Sequence, residues 1–186
     1  MRIIAGSAKG RPLKGPKGPG LRPTSDRVRE SLFNILGQWL EGLVVLDLFA
    51  GTGALAFESL SRGASRAVLV DKGKEALRLC RENAAALGML ERSEILSSAV
   101  DSRLAPTLTS RGPFDLVFAD PPYADFAPAQ ILELLAAVPL VRPEGRVVVE
   151  HDRRAEAPAA LGPFERVDER RFGDTVVSFY RCRPDP

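Results

Sequence analysis

Leu46-Asp47-Leu48-Phe49-Ala50-Gly51-Thr52-Gly53 decides the fold: an apolar run ends in two glycines, and helix-compatible sequence starts directly afterward. Glycines there let the backbone turn tightly and approach a ligand with no Cβ in the way. Working outward, residues 43–48, 67–70, 94–97, 114–119 and 146–150 read as short strands, with amphipathic helices filling the gaps. In the second gap Leu77, Cys80, Ala84 and Leu87 share one helical face, and Ile131, Leu134, Leu135 and Val138 do so before the fifth strand. Such alternation predicts an α/β protein with a mostly parallel sheet and helices on both faces. After Pro158 the pattern changes to two strand-like runs, 164–172 and 175–180, joined across Gly173-Asp174. They complete a predicted seven-stranded sheet with a C-terminal antiparallel hairpin.

Upstream of the decisive stretch, Thr24 or Ser25 caps a helix carrying Val28, Leu32, Ile35, Leu36 and Trp39 on one face. Before it, residues 2–5 and 11–14 read as two short strands around a Gly-containing turn, a small N-terminal β-hairpin extension. The linker Gly15-Pro16-Lys17-Gly18-Pro19-Gly20 follows. The expected organisation is therefore a basic hairpin and linker over residues 1–22 and one domain over residues 23–186.

Composition bounds the function. At 186 residues, 45% hydrophobic and 27% charged, the chain is an ordinary globular protein of about one domain, not a disordered or collagen-like one. No apolar run approaches the roughly 18 residues that span a bilayer, and no secretory signal opens the chain, so a cytoplasmic, membrane-free protein is expected. Cys80 and Cys182 form no CxxC pair, and His151 is the only histidine, so no metal site is expected. Residues 1–30 carry eight Lys/Arg against two acids, whereas the remainder is net acidic. A basic arm on an acidic body suits nucleic acid, because clustered cations release counterions from phosphates.

Gly51-Thr52-Gly53-Ala54-Leu55-Ala56 also fits the dinucleotide fingerprint, and Asp71, ending the second strand, suits either cofactor by accepting both ribose hydroxyls. Asp47 helps separate the readings. A carboxylate within the strand end would face the cationic amino-acid part of S-adenosylmethionine and is less welcome beside a pyrophosphate. This tilts the reading to that donor and leaves the next motif to decide.

The fourth strand delivers Asp120-Pro121-Pro122-Tyr123 at its carboxyl end, where open α/β sheets place their active sites. Each proline restrains the residue before it and lacks an N–H, which makes a stiff, acceptor-only loop. The Asp120 carboxylate and the Pro121 carbonyl can accept both hydrogens of an exocyclic amine on a nucleobase. The lone pair of that nitrogen is then freed from the ring and aimed at a methyl donor. Tyr123 offers a ring on which the base stacks.

At this point the chain resembles the bacterial small-subunit (16S) ribosomal RNA guanine-N2 methyltransferases of the RsmD type. The resemblance rests on Arg2-Ile3-Ile4-Ala5-Gly6, Lys9-Gly10-Arg11, the block from Arg22-Pro23-Thr24-Ser25-Asp26-Arg27 to Asn34, the glycine loop with Asp47, and Asp120-Pro121-Pro122-Tyr123. It implies a Rossmann-like class I methyltransferase fold, S-adenosylmethionine as donor, and a guanine of 16S ribosomal RNA in an assembling small subunit as acceptor. It further implies that Asp47, Phe49, Ala50, Gly51, Gly53, Asp71 and Lys72 hold the donor while Arg22, Thr24 and the following helix close over it. Lys9, Arg11, Lys14, Lys17 and Arg27 would meet RNA. Two departures stand out: Asp71 replaces the family's usual Glu, and Ser98 replaces the Asp or Asn of many relatives. Ser98, the Ala99 N–H and Asp101 therefore remain alternatives for holding the adenine.

Two rival readings stay open. A DNA adenine-N6 methyltransferase uses the same loop chemistry, although the gaps leave little room for a target-recognition insertion. A non-catalytic RNA-binding assembly factor would keep the glycine loop as a relic. A monomer is expected, His151 reads as a solvated or capping loop residue, and Cys80 reads as core. Asn34 either contacts cofactor or bonds nearby backbone.

Overall fold

The computed structural model describes residues 1–16, 26–37, 40–122 and 126–184. Lys17, Arg22, Thr24, Trp39 and Tyr123 lie outside the described residues. Two compact units divide the chain, Met1–Ala99 and Val100–Pro186. The boundary between these units falls between the third and fourth strands.

In the first unit, α1 (Asp26–Leu36) precedes β1 (Val44–Leu48), α2 (Ala54–Ser61), β2 (Arg66–Asp71), α3 (Lys74–Leu87) and β3 (Ser93–Ser97). The strands are parallel in the order β3-β2-β1. Continuous apolar runs such as Val68-Leu69-Val70 suit strands covered on both faces. Every residue of α2 is buried, the state expected of a helix with no solvated face.

Part of that cover comes from the N-terminal segment, whose Ile3, Ala8 and Leu13 are buried. The expected hairpin pairs residues 1–3 with 10–13: an antiparallel bridge joins Arg2 to Pro12, and the Ile3, Gly10 and Leu13 N–H groups donate to the Arg11, Ile3 and Met1 carbonyls at 3.0, 2.8 and 3.1 Å. Beyond Ile3 the pairing stops through competition for the backbone. Ile4 and Ala5 donate their N–H groups to the Glu58 carboxylate, at 2.8 and 3.0 Å, and not to a partner strand. Ser61 on the same helix accepts from the Ala8 N–H at 2.9 Å and donates to the Ala5 carbonyl at 2.6 Å. The Arg62 guanidinium, 2.8 Å from Glu58 and stacked over the Phe33 ring, neutralises the buried carboxylate. Arg29, also fully buried, ties α1 to this segment through the Arg2 carbonyl at 2.7 Å, and burial lowers its pKa.

In the second unit, α4 (Leu104–Thr109) leads to β4 (Phe114–Ala119), α5 (Pro128–Ala136), β5 (Val141–Asp152), β6 (Ala160–Leu161), β7 (Phe164–Phe172) and β8 (Thr175–Cys182). Their order is β4-β5-β8-β7-β6, with β4 and β5 parallel and the remaining pairs antiparallel. The hairpin across Gly173-Asp174 is present as expected. Among the described residues the two-residue β6 brings the total to eight strands against the seven predicted.

β5 is longer than its apolar run suggested. Pro143 and Gly145, ahead of that run, sit in an irregularity where the register shifts from Phe114 opposite Val141 to Leu116 opposite Arg146. At the other end β5 runs on to Asp152 because it pairs with β8 throughout, and this corrects the reading of His151. His151 is a strand residue opposite Val176, 3% exposed, with Nε2 2.9 Å from Ser178 Oγ. Among the described residues no helix is long and apolar enough to cross a membrane.

Candidate functional site

Parallel pairing brings the carboxyl ends of β1, β2 and β3 together, with Leu48 beside Val70 and Asp71 beside Ser97. The sequence-predicted donor residues of the first unit therefore converge. After β1 the backbone enters the left-handed region at Phe49 (φ 60°), a conformation unusual for a bulky side chain. Such strain gathers where a backbone is held for function. Ala50 donates to the Val70 carbonyl at 3.1 Å and Gly53 to the Ala50 carbonyl at 2.7 Å, which closes the loop.

The two glycines have different reasons. A Cβ on Gly53 would lie 2.3 Å from Phe57 Cε2 and 2.8 Å from Leu69 Cδ2, so this position serves close helix–strand packing. On Gly51 the nearest atom would be 3.9 Å away, so its φ of 57° and the open space beside it matter instead. That space is the approach expected for a ligand.

Asp71 grips the loop from β2. Its Oδ2 accepts from the Gly51 N–H at 3.0 Å and its Oδ1 from the Gly73 N–H at 2.8 Å. Carboxylate oxygens retain further lone pairs, so a diol can still be accepted. Asp47, 2% exposed, places Oδ2 3.1 Å from the Ala56 N–H in the first turn of α2, where the helix dipole favours an anion. Lys72 is exposed beside them.

After β3, the Ser98 N–H donates to the Asp71 carbonyl at 3.1 Å and Ser98 Oγ to the Ala99 carbonyl at 3.1 Å. Asp101 is engaged by Arg103 at 2.6 Å, whose hydrogen bonds hold the carboxyl below its usual range. The Ala99 N–H donates to no described residue.

Sequence reasoning missed what lies behind the loop. Cys80, fully buried in α3, donates its thiol to the Gly51 carbonyl at 3.3 Å, and burial, with Asp47 and Asp71 adding, pushes its pKa well up. Asn83, one turn further on, donates to the Thr52 carbonyl at 2.9 Å. The available signal was an amide on the apolar face defined by Cys80, Ala84 and Leu87.

In the second unit Asp120 follows β4 half-buried, Pro121 is buried and Pro122 exposed. Of the predicted RNA-facing cations, Lys9 and Arg27 are exposed. Arg11 caps α3 through the Leu87 carbonyl at 3.1 Å and the Ala86 carbonyl, and Lys14 Nζ is 3.0 Å from Glu82. Asn34 is exposed on α1.

The fold and the glycine loop define a Rossmann-like class I methyltransferase architecture. The solved Escherichia coli protein yhhF is 32% identical, with a TM-score of 0.82 over 100% of this chain and 99% of that one. A Salinibacter ruber RNA methyltransferase solved with S-adenosyl-L-homocysteine, 14% identical, shares the fold, with a TM-score of 0.64 over 89% of this chain and 96% of that one. The model of the family described as Conserved hypothetical protein 95 matches residues 1–181. Escherichia coli ribosomal RNA small subunit methyltransferase D is 34% identical over 97% of this chain and 89% of its own length. The chain belongs to this family, the ribosomal RNA small subunit methyltransferase D family.

Proposed function

We propose that the protein transfers a methyl group from S-adenosylmethionine to the exocyclic N2 amine of a guanine in small-subunit ribosomal RNA. The observation that carries this reading is the strand–glycine loop–helix arrangement gripped by Asp71, joined in one chain to an Asp-Pro-Pro segment after β4. The donor fits the residues present. The open side of Gly51 admits it, and the Asp47 carboxylate suits its ammonium group. Asp71 suits the ribose diol, and the Ala99 N–H suits an adenine ring nitrogen.

When bound, S-adenosylmethionine supplies an electrophilic methyl on a sulfonium. The chain's residues do the rest. Asp120 and the Pro121 carbonyl accept the two amine hydrogens, which draws the nitrogen lone pair out of the ring and aims it at the methyl carbon. Holding the reacting atoms about 3–3.5 Å apart supplies much of the rate. The donor would supply the methyl with its sulfur as leaving group, so the chain's task is to hold the amine in line with it. The proton then leaves nitrogen for Asp120, which needs no strongly shifted pKa because the amine becomes acidic only during transfer. Tyr123 is assigned the stacking role. Lys9, Arg11, Lys14, Lys17 and Arg27 are assigned the RNA phosphates, and Arg22 and Thr24 the closing of the donor site. A guanine in a loop is the favoured target, since a paired one would first cost a few kcal/mol to unstack.

Asp120→Ala tests the reaction. Transfer should fall about 100-fold or more while S-adenosylhomocysteine binding persists. Unchanged transfer would remove Asp120 from the mechanism, and a wild-type protein that binds RNA without any transfer would identify an assembly factor.

A further inference from the structure

Asn83 is 1% exposed, and all its amide groups are engaged across two segments distant in sequence. Its Oδ1 accepts from the Lys14 N–H at 2.8 Å, and its Nδ2 donates to the Lys14 carbonyl at 3.0 Å and to the Thr52 carbonyl at 2.9 Å. The first two bonds give Lys14 the pairing that a neighbouring strand would have provided. The third holds the middle of the glycine loop. A rigid, planar group therefore joins the backbone of the basic segment directly to the loop.

We propose that Asn83 is a positioning residue that couples RNA engagement by the basic segment to the geometry of the cofactor loop. The inference rests on the function proposed above. Lys14 meets Glu82 at 3.0 Å with 62% of its side chain exposed, an ion pair weak enough for an RNA phosphate to replace. Phosphates drawn to Lys9 and Lys14 then bear on the Lys14 backbone. Because Asn83 grips both Lys14 and Thr52, a change in the first is transmitted to the carbonyl of the second. Cys80 anchors the adjacent Gly51 carbonyl from the same helix at 3.3 Å, so the loop responds as a unit. Linkage makes the effect reciprocal: RNA tightens the donor, and the donor tightens RNA, by the same factor.

The test measures S-adenosylhomocysteine affinity by calorimetry, with and without unmethylated small ribosomal subunits, for wild type, Asn83→Ala and Asn83→Asp. The aspartate keeps the size and the acceptor for the Lys14 N–H but loses both donations, and thermal melting verifies that each variant is folded. Wild type should bind about fivefold or more tightly when subunits are present, and both variants should bring that ratio to about one. A merely structural role would weaken binding equally in both conditions and leave the ratio intact, which would overturn the proposal. A wild-type protein that binds S-adenosylhomocysteine with no response to subunits would also overturn it. Failure of wild type to bind S-adenosylhomocysteine would instead remove the proposed function beneath it.

Discussion

Gly51 and Gly53 stand two residues apart in one loop, yet the structure demands glycine at each for a different reason, and substitution separates the reasons. Gly53→Ala puts a methyl 2.3 Å from the Phe57 ring on a left-handed backbone, so it should cost about 2 kcal/mol or more of stability. Gly51→Ala meets nothing closer than 3.9 Å and should cost only about 1–2 kcal/mol, from φ strain. Its methyl, however, enters the space proposed for the donor. Thermal unfolding together with S-adenosylhomocysteine binding distinguishes them: the first variant should lose mainly stability, the second mainly affinity. The sequence revealed that both positions matter, since a G-x-G after a strand is a local signal. It did not reveal Asn83 or Cys80, because side chains that reach a loop from the next helix leave only a faint mark in the pattern.

At the scale of elements, α2 shows why the N-terminal segment was read only in part. Glu58 and Ser61 look like surface residues of a short helix, yet Glu58 is fully buried and satisfies two backbone N–H groups of residues more than fifty positions away. Local periodicity cannot foresee a side chain acting as a strand partner. The β7–β8 hairpin was legible because its turn signal is local, whereas the burial of His151 follows from β8 pairing along the whole end of β5. On β8, Tyr180 is buried and donates to the Pro158 carbonyl at 3.0 Å, and burial pushes its phenol up to about 12. A raised folded-state pKa means that the native state holds this proton more tightly than the unfolded chain, whose tyrosine ionises near 10. The stabilisation is thus complete below about pH 10 and is lost as the pH rises towards 12. Melting temperatures between pH 8 and 12 should fall more steeply for wild type than for Tyr180→Phe. Parallel curves would show that the phenol does not set alkaline stability.

At the scale of the whole molecule, the alternation of strands and helices carried the α/β class, and the two loops carried the chemistry. Charge asymmetry marked the N-terminal segment as basic, but not that Arg11 and Lys14 also fasten it to α3 through Ala86, Leu87 and Glu82. Both roles fit exposed cations, whose surface pairs are weak and exchangeable for phosphate. In the proposed mechanism Asp120 and the Pro121 carbonyl accept the hydrogens of an exocyclic amine, so the nucleoside that carries the methyl is the decisive readout. Transfer of labelled methyl from S-adenosylmethionine to unmethylated small subunits, free ribosomal RNA and DNA, followed by digestion to nucleosides, tests this most directly. The account predicts label in N2-methylguanosine from the ribosomal samples alone. Label in N6-methyladenine from DNA, or none in any sample despite measured donor binding, would contradict it.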